Sequence, residues 1–156
     1  MFEAPCISID RATTDAIAQK DFDWVRNSVR KYLKIFLLFL AGSLLLLAIS
    51  SPVYRIWVGE GIEIAFPISL WVMIFNLVMM FGNIFVSTLN GASIVKVQTI
   101  ACIISPFVFL GCFFLLKSRG LGVESILISS IVANFNGLIL APIQYNRFIK
   151  KSGATV

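Results

Sequence analysis

Polar side chains that could bind a hydroxyl-rich ligand recur along one apolar stretch near the middle of the chain. They are Asn76, Asn83, Ser87 and Asn90. On a helix with 100° per residue, these four positions lie within about 60° of one another. Because an amide in lipid needs a hydrogen-bond partner, this polar stripe is expected to face protein or a watery cavity. The stripe therefore has two interpretations: it lines the path of a hydroxyl-rich substrate, or it bonds its helix to a neighbouring helix.

Lys96 and Gln98 lie about one turn into the next apolar stretch, which also contains Pro106. Lys96 is either a snorkelling anchor, whose amine reaches the membrane interface from an apolar segment, or a contact for an anionic lipid head group or a lipid-linked pyrophosphate. Pro106 removes one backbone hydrogen bond from a helix, so it predicts either a static kink or a hinge.

Residues for acid–base, nucleophilic or metal chemistry are scarce. The chain has no His, and its three cysteines do not have metal-ligand spacing. The interiors of the apolar stretches contain no Asp or Glu, the residue types on which proton-coupled pumps usually depend. No Gly-rich phosphate loop precedes a helix. The sequence thus predicts a protein that is not an enzyme and that uses no metal or cofactor.

Composition places the protein in a membrane. Of its 156 residues, 58% are apolar and only 13% are charged, and the mean hydropathy is +0.92, whereas soluble domains are about a quarter charged. We expect an all-α membrane protein with a polar head at 1–32, a transmembrane domain at 33–145 and a basic tail at 146–156. The domain is predicted to contain four transmembrane helices of about 20 residues each, at 33–51, 67–89, 94–116 and 123–142.

The second half of the head has the pattern of an amphipathic helix. Its apolar residues share one helical face, beginning with Phe22, Val25 and Val29. Asp21 is placed to cap this helix at its N-terminus. The pattern predicts an N-terminal amphipathic helix that lies on the membrane surface before the chain turns into the first span.

The fourth predicted span carries small and polar residues on one narrow face, at Ser130, Asn134, Gly137 and Ala141. Small residues let two helix backbones approach closely within a membrane, so we expect this face to pack against another span. Asn136 points away from this face and is expected to bond within the bundle.

Basic residues are distributed unequally between the two ends of the predicted helices. Ten of the thirteen lie in residues 1–34, in the turn at 90–98 and in the tail, and the other end has Arg55, Lys117 and Arg119. Because positive charge concentrates on the cytoplasmic side of membranes, both termini are expected in the cytoplasm. Membrane anchoring then accounts for the net charge of +5, and no nucleic-acid partner is expected.

Four segments resemble, in order and spacing, the motifs of one transporter family. They are an "A…A…D…W" run at 15–24, an "SP…Y…WVG" stretch at 51–59, an "N…F…NG…K…Q" turn at 83–98, and 141–145 followed by basic residues. On these motifs the chain resembles bacterial polysaccharide flippases of the O-antigen type, which belong to the multidrug/oligosaccharidyl-lipid/polysaccharide exporter superfamily.

The resemblance implies a function, a substrate and partners. Members of this family export lipid-linked oligosaccharides across the bacterial inner membrane, by alternating access between two helical bundles. The implied substrate is a polyprenyl-pyrophosphate-linked oligosaccharide for cell-surface polysaccharide such as lipopolysaccharide. The implied partners are the lipid bilayer and the missing N-terminal bundle or other helices. The residues that match the family's motifs are Asn83, Asn90, Lys96 and Gln98.

Because the resemblance covers only the closing spans of such a transporter, we expect the C-terminal portion of a flippase. The alternative is a truncated remnant, or a small membrane interaction protein that associates with other helices and has no autonomous transport. A substrate path along the stripe and a head group held by Lys96 belong to the first interpretation. Helix association alone belongs to the second.

Overall fold

A computed structural model of the chain describes residues 5–59 and 66–153. Its elements are helical throughout these ranges, as expected for the all-α class. Between α6 and α7 the chain forms a single π-helical segment at Asn136–Leu140. The α-helices are α1 (Pro5–Ala18), α2 (Phe22–Ala48), α3 (Ser50–Val58), α4 (Phe66–Gly91), α5 (Lys96–Ser118), α6 (Glu124–Ala133) and α7 (Ala141–Gly153).

Three helices, α2, α4 and α5, are long and apolar enough to cross a membrane. A fourth candidate span consists of α6 together with the helical stretch that follows it, if this pair, bent by 42°, is counted as one span. The chain is therefore a candidate multi-pass membrane protein. The predicted second and third spans, 67–89 and 94–116, agree with α4 and α5 to within about two residues at each end.

The amphipathic segment of the head differs from its prediction. It is the first part of α2, which continues without interruption from Phe22 to Ala48, so the prediction of a separate surface helix was wrong. No Gly or Pro occurs between Phe22 and Ala41, and the backbone hydrogen bonds continue into the span. Its apolar face packs on protein rather than lipid, because Val25 and Val29 are only 1% and 3% exposed.

The predicted cap at the start of α2 is confirmed. An oxygen of the Asp21 side chain accepts a 2.9 Å hydrogen bond from the backbone N–H of Trp24. Just before it, Lys20 has a φ of 58°, which reverses the chain between α1 and α2. The helix α1 itself was not predicted. It is held beside the end of α4 by a 2.9 Å hydrogen bond from the Thr14 hydroxyl to the Gly91 carbonyl.

Aromatic rings join α2, α4 and α7 into one core. Successive ring centroids lie 5.6 Å apart for Phe36 and Phe81, 5.2 Å for Phe81 and Phe85, and 5.5 Å for Phe85 and Tyr145. Leu89, one turn further along α4, is completely buried in the same cluster. The core therefore lies where the first half of α2, the second half of α4 and α7 meet.

This core brings together the segments that the charge distribution assigned to one side. The head contacts the turn after α4 through the hydrogen bond of Thr14 to Gly91. It contacts the last helix through Phe22 and Phe148, whose ring centroids lie 6.0 Å apart. We call this end of the bundle, where the head, the end of α4 and α7 meet, the head end. Lys117 and Arg119 lie at the opposite end of α5, and Arg55 lies in α3, which follows the opposite end of α2.

At the opposite end, α3 continues the chain after the first span. The hydroxyl groups of Tyr54 and Ser69 share a 3.0 Å hydrogen bond, which ties α3 to the start of α4. Ile56 and Trp57 are largely exposed on α3. A short helix with an exposed Trp beside a basic residue, Arg55, is typical of a membrane interface.

Candidate functional site

One face of α4 is left uncovered by the rest of the bundle. We call it the open face of α4, and it consists of Val72, Asn76, Met79, Asn83 and Asn90, all exposed. These residues lie opposite the side of α4 that carries the aromatic core. Since α4 packs on α1, α2, α6 and α7 with its remaining surface, the open face is the outer side of the most central helix.

The polar stripe is divided between this face and the protein interior. Its three asparagines are exposed, whereas Ser87 is buried at 7% exposure. Ser87 is buried because α1, α2 and α7 pack around the last turns of α4 and cover more of its circumference there. Thr88, the next residue, is buried as well and donates to the Ile84 carbonyl. Ser87 therefore does not belong to the accessible site.

The hydrogen-bonding capacity of the three asparagines is mostly unused. Asn76 donates through Nδ2 to the Val72 carbonyl one turn earlier, at 2.8 Å. Across residues 5–59 and 66–153, the side chains of Asn83 and Asn90 make no hydrogen bond. In a hydrocarbon environment such amides are costly to leave without partners. The open face of α4 therefore carries amide groups whose hydrogen-bonding capacity is available to another polar group.

Lys96 and Gln98 are separated by the structure in spite of their closeness in sequence. Lys96 is the first residue of α5 and is exposed, whereas Gln98 is only 6% exposed. The Nε2 atom of Gln98 has no hydrogen-bond partner among the described residues. Lys96 adds its charge to the partial positive charge of a helix N-terminus, an arrangement that favours an anionic group. It lies at the head end, a short turn after Asn90.

The fourth span is broken, which differs from the continuous helix predicted at 123–142. The α-helix ends at Ala133, the chain bends, and a π-helical segment starts at Asn136. Its sequence signal is the pair Asn134 and Asn136 followed by Gly137 within an apolar span. Such residues tolerate a local change in helical pitch.

The break is held by the neighbouring span. The Oγ atom of Ser105 lies 2.9 Å from the carbonyl oxygen of Ala133 and 2.9 Å from that of Ala101. Its one hydrogen can serve either carbonyl, so it supplies a donor where α6 ends. Pro106, the hinge candidate, is next in sequence, but α5 stays helical on both sides of it. The break lies between α6 and α7, which belong to the candidate span that packs against α5, and not in α5 itself.

Of the predicted small-residue face of the fourth candidate span, the second half packs closely, whereas Ser130 and Asn134 are only partly buried. Gly137 and Ala141 are buried, and Gly137 faces Gly82 of α4. A Cβ atom added to Gly82 would lie 2.8 Å from the Gly137 Cα. This is a direct backbone-to-backbone crossing of the central helix and the broken span. The amide oxygen of Asn136 is buried without a partner among the described residues, so its predicted bond within the bundle is not observed.

Ser105→Ala is expected to destabilise the bundle by about 1 kcal/mol, because the Ala133 carbonyl loses its donor from α5. The measurement is the free energy of unfolding in mixed detergent micelles with increasing denaturing detergent. The matched control is Ser118→Ala, since the exposed Ser118 hydroxyl bonds only to the Leu115 carbonyl of its own helix. Equal losses for the two variants would show that the link between α5 and α6 contributes nothing.

Comparisons with protein-family models, with curated proteins and with solved structures found no match to this chain. Among the residues that the structure describes, no three metal-ligating side chains come together.

Proposed function

We propose that the chain is the C-terminal portion of a flippase that exports lipid-linked oligosaccharide for cell-surface polysaccharide. Its proposed location is the bacterial inner membrane, with both termini in the cytoplasm. The observation that carries the proposal is the open face of α4, which presents Asn76, Asn83 and Asn90 on the uncovered side of a helix long enough to span. The mechanism is translocation without a chemical step.

The spacing of these amides suits a polar path through the membrane. They recur every seven residues, which is about 10 Å along a helix, so the outer two lie about 21 Å apart. That distance covers about two thirds of a hydrocarbon core of about 30 Å. An asparagine both donates and accepts hydrogen bonds, as sugar hydroxyl groups do. An oligosaccharide could therefore exchange hydrogen bonds from one amide to the next.

Exposed apolar surfaces of α2 and α5 match the lipid part of the proposed substrate. The second half of α2 and the outer side of α5 expose aliphatic and aromatic side chains, among them Leu38, Phe39 and Phe107, to the surroundings. These surfaces suit a polyprenyl chain that stays in the bilayer. At the head end, Lys96 and the N-terminus of α5 offer positive charge to the pyrophosphate.

Lys96→Ala is expected to slow flipping of a pyrophosphate-linked oligosaccharide about tenfold, the effect of losing one charge-assisted contact of ~1.4 kcal/mol. The assay uses the full chain in proteoliposomes with a fluorescent polyprenyl-pyrophosphate oligosaccharide. It follows how fast the sugar becomes accessible to an external lectin. The control is Lys117→Ala, which removes the amine of another exposed lysine at the opposite end of α5. If both variants flip as fast as the unchanged chain, Lys96 has no role with the head group.

A second candidate function, helix association without transport, is supported by the same amides. Asparagine side chains on a spanning helix bind neighbouring helices in membranes. The unchanged chain distinguishes the two functions. Lectin accessibility that increases no faster than in protein-free vesicles would reject transport by this chain on its own and favour the interaction protein.

A further inference from the structure

The open face of α4 has the spacing of a coiled-coil seam. Asn76, Asn83 and Asn90 are separated by one heptad each, and Val72 and Met79 lie four residues before Asn76 and Asn83, respectively. In a two-stranded coiled coil these are the a and d positions, the two that face the partner helix. A seven-residue period keeps a seam facing its partner along the whole length of a left-handed helix pair.

We propose that the open face of α4 binds the same face of a second copy of this chain. The chemistry of the seam identifies the occupant. Each amide carries both a donor and an acceptor, so the best partner for a column of asparagines is an identical column. A lipid tail offers neither group, and the side chains of Asn83 and Asn90 have no partners within the described part of their own chain.

The geometry of a membrane makes this pairing parallel and in register. Two copies inserted with the same topology have parallel α4 helices, and a two-fold axis along the membrane normal then brings like residues together. Asn76 meets the partner's Asn76, and the same holds for Asn83 and Asn90. Met79 fills the space between Asn76 and Asn83, and Val72 precedes Asn76; both side chains are exposed in one copy. Val86, the corresponding residue between Asn83 and Asn90, is partly buried against the core of its own copy. Polar a positions of this kind define the register of a pair.

The dimer goes beyond the proposed transport function and does not depend on it. The seam follows from the heptad spacing and the exposure of the asparagines, whatever the protein carries. Amides that pair across the seam are not available to a sugar, so the two copies must separate along α4 before the open face can bind a substrate.

Cysteine crosslinking in membranes tests the seam directly. Cys6, Cys102 and Cys112 are first replaced by Ala, and single cysteines are introduced by Asn83→Cys or Asn90→Cys. The controls, Ile103→Cys and Val97→Cys, are exposed positions on α5 at corresponding distances from the head end. With copper phenanthroline as oxidant, the seam variants are expected to form disulfide-linked dimers about tenfold faster than their controls. Equal rates at seam and control positions would overturn the proposal.

A second measurement retains the full complement of native cysteines. Energy transfer between donor- and acceptor-labelled copies is followed while the protein is diluted with lipid. Replacing all three seam asparagines by Leu is expected to weaken association at least about tenfold, while Asn83→Gln, which keeps an amide, retains most of it. The unfolding midpoint of the Leu variant shows that the monomer is intact. If the Leu substitutions leave association unchanged, the proposed pairing of two copies along α4 is wrong.

The two proposals fail in different ways. Dimers that form along α4 without lectin-detected flipping would reject the flippase and support the seam. Flipping by a chain whose seam cysteines crosslink no faster than the controls would support the flippase and reject the seam.

Discussion

Gly82→Ala is expected to lower the free energy of unfolding by about 2–3 kcal/mol, the upper part of the range for overpacking. The added methyl group would lie 2.8 Å from the Cα and 3.0 Å from the carbonyl carbon of Gly137. These are backbone atoms, so no side chain can rotate away, and α4 must separate from the broken span. Denaturing detergent titration, monitored by tryptophan fluorescence, measures the change.

The chain contains its own controls for this substitution. A Cβ atom on Gly111 of α5 or on Gly42 of α2 would meet nothing within 4 Å. Gly111→Ala and Gly42→Ala are therefore expected to leave stability unchanged or to raise it by up to about 1 kcal/mol through helix propensity. If Gly82→Ala behaves like these two variants, α4 and the fourth span do not cross at Gly82 and Gly137.

Phe85→Ala is expected to cost about 3–5 kcal/mol, the usual range for removing a buried aromatic side chain. Phe85 is 7% exposed, and its ring contacts both Phe81 and Tyr145. Its loss would leave a cavity where α4 meets α7 and would interrupt the row of ring contacts that ends at Tyr145. The same unfolding titration applies, and Phe85→Leu should recover part of the loss by filling some of the volume.

Phe107→Ala is the matched control for the aromatic core. Phe107 is 72% exposed on the outer side of α5, where its ring is replaced by lipid or detergent at little cost. We expect a change below about 0.5 kcal/mol, as for exposed positions in general. A loss as large as that of Phe85→Ala would mean that the surface around Phe107 is covered by a partner and not by lipid.

Taken together, these predictions place the stability of the bundle in two regions. One is the aromatic core at the head end, and the other is the backbone crossing at Gly82 and Gly137. Neither includes the open face of α4. Substitutions on the open face should therefore change association or transport while the fold persists, which makes that face experimentally separable from the scaffold.

The second and third predicted spans agree with the structure because they follow from local physics. A run of about 20 apolar residues without an acid has few alternatives to a membrane helix. For the same reason the limits of α4 and α5 agree with the expected spans 67–89 and 94–116. The cap at Asp21 was predictable too, since its side chain reaches only three residues ahead.

What covers the apolar face of the amphipathic segment in the head could not be predicted from the sequence. A periodic apolar face states that Val25 and Val29 are removed from water, but a lipid surface and a protein core satisfy that requirement equally well. Only packing against α4 and α7 shows that the protein core covers them.

The candidate site, too, was predictable from the sequence only in part. Heptad spacing and residue type place Asn76, Asn83 and Asn90 on one side of a spanning helix from the sequence alone, because helical geometry is local. Which side of α4 stays open, why Ser87 is buried and where the fourth span breaks all depend on contacts between distant segments. The crossing of Gly82 with Gly137 and the donation from Ser105 to Ala133 join spans far apart in the chain. No local pattern can specify such contacts, since they exist only once the helices pack.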